Sequence, residues 1–86
     1  MPTSKVIIKQ PNIVDKELDD NVLGYAYQKE FEIEIDPRQN SREYLNTLIH
    51  EMLHCFLPNL SEKSIIKLST IMSDEIWKRR HRRISK

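Results

Sequence analysis

Two histidines one helical turn apart, with a glutamate directly after the first, make up the segment His50-Glu51-Met52-Leu53-His54. On a helix, residues at i and i+4 lie one above the other, so both imidazoles can send a ring nitrogen to a single ion about 2 Å away. Glu51 is poorly placed to ligate that ion, but it can reach a water bound to it. A Zn2+ ion lowers the pKa of such a water towards ~7, and a nearby carboxylate can take its proton as general base. The residue types and spacing therefore point to a metal site at His50 and His54 with Glu51 as catalytic base. The competing reading is a solvated histidine pair on a helix surface.

A catalytic zinc takes three protein ligands and keeps a position open. Downstream candidates for the third ligand are Glu62, Asp74, Glu75 and His81. Glu62 ranks first, because it opens a second helix just after the break Phe56-Leu57-Pro58-Asn59-Leu60 and flanks the face turned towards the first helix. A carboxylate there also suits the helix dipole, which is its plainer role.

These side chains need elements to hold them. Asn40 with Glu43 reads as a capping box, and the helix should run from about Ser41 to Phe56, ending before Pro58. At 100° per residue, Leu45, Leu48, Ile49, Met52, Leu53 and Phe56 form one apolar arc. His50 and His54 fall about 40° apart on another sector, with Glu51 roughly 60° from His54. A second helix should start at Ser61 and continue to about Arg80, with Ile65, Ile66, Leu68, Met72 and Ile76 at helical spacing. Before the helices, residues 5–10 have the β-branched content of a short strand that Pro11 would end, and residues 15–21 read as loop or weak helical turn. From Val22 to Asp36 the period becomes two: Leu23, Tyr25 and Tyr27 alternate, then Phe31, Ile33 and Ile35 alternate with Glu30, Glu32 and Glu34. This predicts a β-hairpin with a longer or bulged loop at Gln28-Lys29-Glu30, since no Asn-Gly turn is present. Gly24, the only glycine, marks a bulge or a close backbone approach. The expected fold is α+β, a small antiparallel sheet of about three strands packed on two helices.

The segment His50-Glu51-Met52-Leu53-His54 with a glutamate downstream resembles the zincin metallopeptidases, in particular their glutamate-ligand branch. Residues 48–62, Leu-Ile-His-Glu-Met-Leu-His to Leu-Pro-Asn-Leu-Ser-Glu, also look like those of small bacterial and phage proteins. The likeness covers roughly residues 22–80, and only its five-residue motif is highly specific. It implies a minimal zincin-like core and a zinc-dependent peptidase that binds a peptide or protein substrate. In such families the strand before the active helix aligns an extended substrate by β-augmentation. That strand would be Phe31 to Asp36, unless the hairpin places residues 22–27 at the edge. The chain departs from the family in its shortness after Ser61, where related enzymes carry a second subdomain with an oxyanion-stabilising group. Tyr25, Tyr27, Arg80 and His81 are the candidates for that work. The alternative from another class is a catalytically inactive, zinc-stabilised module that grips a protein or nucleic acid.

Composition bounds these readings. Eighty-six residues with 38% hydrophobic and 31% charged side chains describe one ordinary folded domain, residues 1–86, with a small core. No apolar run approaches the ~20 residues of a membrane span, and the opening residues are too interrupted for a signal peptide, so a cytoplasmic protein is expected. The lone Cys55 excludes an internal disulfide framework, points about 100° away from His54, and reads as a buried thiol rather than a ligand. The net charge of +1 conceals an asymmetry: residues 1–77 hold eight basic against thirteen acidic residues, a net of −5, while residues 78–86 are a basic tail. Such a tail could contact nucleic acid phosphates, but a solvated helix end that complements the dipole is the favoured reading. Trp77 reads as a core anchor near the end of the second helix.

Overall fold

The computed structural model describes residues 10–84, with side chains for residues 10–79. Three short strands, β1 (Asn12–Asp15), β2 (Gly24–Tyr27) and β3 (Glu32–Ile35), precede two helices, α1 (Ser41–Phe56) and α2 (Glu62–Ile84). The fold is α+β, and its sheet has the order β1-β3-β2.

The period-two segment forms the hairpin. β2 and β3 pair antiparallel with Gly24 opposite Ile35 and Tyr27 opposite Glu32. Alternation sends Ile33 and Ile35 inward, where both are fully buried, and leaves Tyr25 and Tyr27 exposed on the outer face. The connection spans residues 28–31 and closes with Phe31 in the left-handed region at φ 56°, its N–H donating to the Gln28 carbonyl at 3.3 Å. A bulky residue takes that conformation only under tertiary constraint. Phe31 is held by packing on the core and by an edge-on contact with Phe56, ring centroids 5.2 Å apart.

β1 joins the other side of β3 in parallel, Asn12 opposite Glu32, so the sheet is mixed rather than wholly antiparallel. The strand expected at residues 5–10 falls almost wholly outside the described residues, and Gln10 itself is not in a strand. The observed strand lies beyond Pro11, and its last residue, Asp15, belongs to the stretch read as loop. Asn12-Ile13-Val14-Asp15 has only two β-branched residues and weak strand formers at both ends, so its pairing is templated by β3 rather than by local propensity. The Tyr44 hydroxyl donates to Asp15 and ties β1 to α1; this hydrogen bond, with burial, pushes the phenol pKa up to about 12.

α1 begins and ends where its signals lie. The Asn40 side chain accepts from the Glu43 N–H at 2.9 Å, and the Leu57 N–H returns to the Leu53 carbonyl before Pro58 stops the helix. One side of α1 covers the sheet: Tyr44, Leu48 and Met52 pack on the cluster of Ile33, Ile35 and Cys55. The side turned to α2 carries a polar ladder, Arg42 to Asp74 at 2.6 Å and Asn46 to Ser73 at 3.0 Å, which sets the helices antiparallel. The inner face of α2 is made of Ile65, Ser69 and Ser73, all buried, with both serine hydroxyls donating to their own helix backbone. α2 packs on α1 and not on the sheet, giving the layer order sheet, α1, α2. Phe56, expected in the core arc, is exposed beyond its contact with Phe31, and Trp77 is half-buried. Among the described residues no helix is long and apolar enough to cross a membrane.

The sheet order has one consequence for the site. Residues 31–36, expected as a substrate-aligning edge, supply the central strand, paired on both sides; the edge beside α1 is β2.

Candidate metal centre

Helix α1 places His50 and His54 one turn apart on the side turned to α2, both largely shielded, with ring centroids 5.0 Å apart. The short connection of residues 57–61 then reverses the chain. Ser61 opens α2, its hydroxyl accepting from the Ser64 N–H at 3.2 Å, and Glu62 follows as the first helical residue. Because the helices are antiparallel, the first turn of α2 lies against the last turns of α1. The Glu62 carboxylate therefore meets both imidazoles, Oε1 at 2.7 Å from His54 Nε2 and Oε2 at 3.3 Å from His50 Nε2. The two Nε2 atoms are themselves 3.3 Å apart. One candidate ligand atom from each of the three residues lies within 4.8 Å of the others.

This donor set fits a divalent ion. A tetrahedral zinc with bonds of ~2.0–2.1 Å separates its ligand atoms by roughly 3.3–3.4 Å. The His50–His54 and His50–Glu62 separations have that value, and the shorter His54–Glu62 contact would need to open slightly. Glu62 is more than half exposed, so the centre opens to solvent on its side, as an exchangeable coordination position requires.

Glu51 occupies the seam between α1 and the sheet, 8% exposed, on a buried stripe with Thr47 and Cys55. Burial pushes its carboxyl pKa up; the nearby His54 opposes that shift and Glu62 adds to it. Its neighbour across the seam is Gly24. A Cβ on Gly24 would stand 2.8 Å from Thr47 Cγ2, 3.1 Å from Glu51 Cγ and 3.1 Å from the Glu34 carbonyl oxygen. The only glycine is thus a close approach of strand to helix, made at the residue proposed as base. Two further contacts support this seam. Thr47 Oγ1 donates to Gln39 Oε1 at 2.7 Å, and Gln28 Nε2 donates to the His54 carbonyl at 2.8 Å. The lone glycine was a visible signal; nothing in the residue pattern distinguished Thr47, Gln28 or Gln39.

The other sequence candidates lie elsewhere. Asp74 pairs with Arg42, and Glu75 with Lys78 and Arg79, several turns along α2 from Glu62. Tyr25 and Tyr27 cannot serve an oxyanion at this centre, because Gly24 and Ala26 take the α1-facing positions of β2 and alternation turns the tyrosines to the opposite face. There the Tyr27 hydroxyl donates to Glu34 Oε1 at 3.1 Å, which raises the Tyr27 pKa. The side chains of Arg80 and His81, and most of the basic tail, lie outside the described residues. Cys55 is buried, and burial followed by the Glu51 charge pushes its thiol pKa up, away from reactive thiolate character.

Comparison of the chain with protein-family models, curated proteins and solved structures finds no match.

Proposed function

We propose that this protein is a minimal zinc-dependent peptidase of zincin-like type, with His50, His54 and Glu62 as metal ligands and Glu51 as general base. The observation that carries the reading is the convergence of two imidazole nitrogens and one carboxylate at 2.7–3.3 Å, with a buried glutamate on the adjoining stripe of the same helix. Zinc held there supplies Lewis acidity and lowers the pKa of bound water towards ~7. The chain does the rest. α1 fixes the imidazoles, and the Gln28 contact pins the carbonyl of the second. Glu51 accepts a proton at its carboxylate and returns it to the leaving amine, and its burial keeps bulk water from competing for that exchange. The edge of β2 beside α1 offers backbone groups to an extended peptide. The buried free thiol accords with a reducing, cytoplasmic setting.

The test is metal analysis of the purified protein followed by digestion of a peptide library by wild type and Glu51→Gln. Zinc-dependent cleavage by wild type alone is expected. Equal cleavage by both proteins, or none with zinc fully bound, would remove the hydrolase.

One observation favours a second reading, a zinc-stabilised binding module without turnover. α2 exposes Ile66, Leu68, Ile71, Met72 and Ile76, more apolar surface than a lone helix needs to show. On that reading, removing zinc lowers the melting temperature while no peptide is cut by any form of the protein.

A further inference from the structure

The edge of β2 has two unlike flanks, and the outer one selects a kind of peptide. The Asp36 N–H donates to the Leu23 carbonyl at 2.9 Å, so residues 23 and 36 are a hydrogen-bonded pair. Antiparallel alternation then makes 25–34 and 27–32 bonded pairs, and the N–H and C=O groups of Gly24 and Ala26 point away from β3. Among the described residues no strand pairs with that edge. A segment hydrogen-bonded to Gly24 and Ala26 would set its own residues opposite Tyr25 and Tyr27 in the closer, non-hydrogen-bonded pairing, with their side chains on the outer face.

The inner flank of this edge is small. Gly24 and Ala26 bring the strand close against α1 and present no side chain of their own that could select a peptide. The outer flank is aromatic and acidic: Tyr25 and Tyr27 are exposed with ring centroids 6.1 Å apart, and behind them on the same face stand Glu34 and Glu32. Glu34 receives the Tyr27 hydroxyl and has Lys16 Nζ at 3.7 Å; Glu32 meets the Asn12 amide at 3.4 Å. Among the described residues Glu32 has no cationic partner within salt-bridge distance. A guanidinium or ammonium laid over a tyrosine ring is attracted by its face, and a carboxylate beyond the ring adds to that attraction.

We propose that the β2 edge takes an extended peptide of the form basic-x-basic, with two Arg or Lys side chains on the outer face opposite Tyr25 and Tyr27. This rests on the peptidase reading for the adjacent centre, and it names the substrate class of that site.

The test uses zinc-loaded Glu51→Gln protein and fluorescence anisotropy of labelled octapeptides that differ only at two alternate positions: Arg-x-Arg, Ser-x-Ser and Glu-x-Glu. Binding of the basic peptide about tenfold tighter than the serine peptide is expected, with the acidic one weaker still. Tyr25→Ser and Glu32→Gln, both at exposed or half-exposed positions, should each remove several-fold of that preference, read as the ratio of basic-peptide to serine-peptide affinity. Equal binding of the three peptides, no binding of any, or a preference untouched by both substitutions would overturn the assignment. Digestion of the basic and serine peptides by wild type separates the two claims. Basic-selective binding without turnover removes the hydrolase alone, and turnover without basic-selective binding removes this inference alone.

Discussion

At the scale of single residues, the proposed chemistry depends on three donors and one missing side chain. In the proposed centre His50 and His54 would share the ion with Glu62, so truncating either imidazole would remove a ligand outright. Even the outer partners of metal ligands are worth 10–100-fold in affinity, so His50→Ala and His54→Ala should each weaken zinc binding by more than about 100-fold. Competition with a chromophoric chelator measures this, and affinity near wild type in either variant would remove the centre. The missing side chain is at Gly24. A methyl group there has no room beside Thr47 Cγ2 at 2.8 Å, and the Glu34 carbonyl at 3.1 Å cannot swing aside as a flexible side chain could. Gly24→Ala should cost about 1–3 kcal/mol, as overpacking of a filled site does. Urea denaturation checks the value. Adding Thr47→Ser removes the nearest methyl and should restore part of the loss, a coupling that a double-mutant cycle isolates.

At the scale of elements, the loop after β1 is fastened by Asp36. Its buried carboxylate accepts from the Arg38 guanidinium at 2.6 and 2.9 Å, from the Leu18 N–H at 2.9 Å and from the Arg38 N–H at 3.0 Å. The Arg38 side chain first, and the two backbone donors after it, hold this carboxyl well below the usual carboxylate range. Because the folded-state pKa lies under the unfolded value of about 3.9, the contribution to stability is fully present above that value and is lost as pH falls through the folded one. Urea midpoints measured from about pH 7 down to about pH 2 should therefore fall in acid, and Asp36→Asn should flatten that decline while lowering the neutral plateau. An unchanged acid slope in the variant would place the sensitivity elsewhere.

The same scale shows what the residue pattern could reveal. The bounds of α1 were legible because Asn40, Glu43 and Pro58 act locally, through a cap and a stop that no distant contact needs to support. The hairpin was legible because alternation of Ile with Glu is a strong one-face signal. β1 was not, since its four exposed residues have no face of their own to bury and take their direction from β3. Nor was the burial of Glu51. A wheel counts one apolar arc, but α1 is covered on two sides, by sheet and by α2, and the close approach of β2 at Gly24 buries polar positions, Thr47 and Glu51, that the arc leaves out. The meeting of Glu62 with both histidines followed from the proline break, which permits few residues of connection and so forces the next helix back along the first.

For the whole molecule, a chain of this size has a small core, here centred on Ile33, Ile35, Ile49, Cys55 and Ile65, and any ligand that binds only the folded form weighs heavily. Zinc at 100 times its dissociation constant should add about 2.7 kcal/mol. For a domain of this length that is a rise in melting temperature on the order of ten degrees. Thermal unfolding followed by circular dichroism, with zinc and with excess chelator, checks the expectation; coincident curves would mean that no folded-state site is filled.

The nearness of His54 and Glu62 along the chain, with only residues 57–61 between their helices, also bears on the order of assembly. An ion joining them closes a shorter loop than the pairing of β1 to β3 across the hairpin does, at an entropic cost lower by just under about 1 kcal/mol. If the proposed centre takes its ion early, the helical hairpin is drawn together before the sheet exists, and the metal takes part in the folding nucleus. Stopped-flow refolding with zinc present from the start should then be faster than with chelator, while unfolding rates change less. An effect confined to the unfolding rate would place ion capture after the barrier.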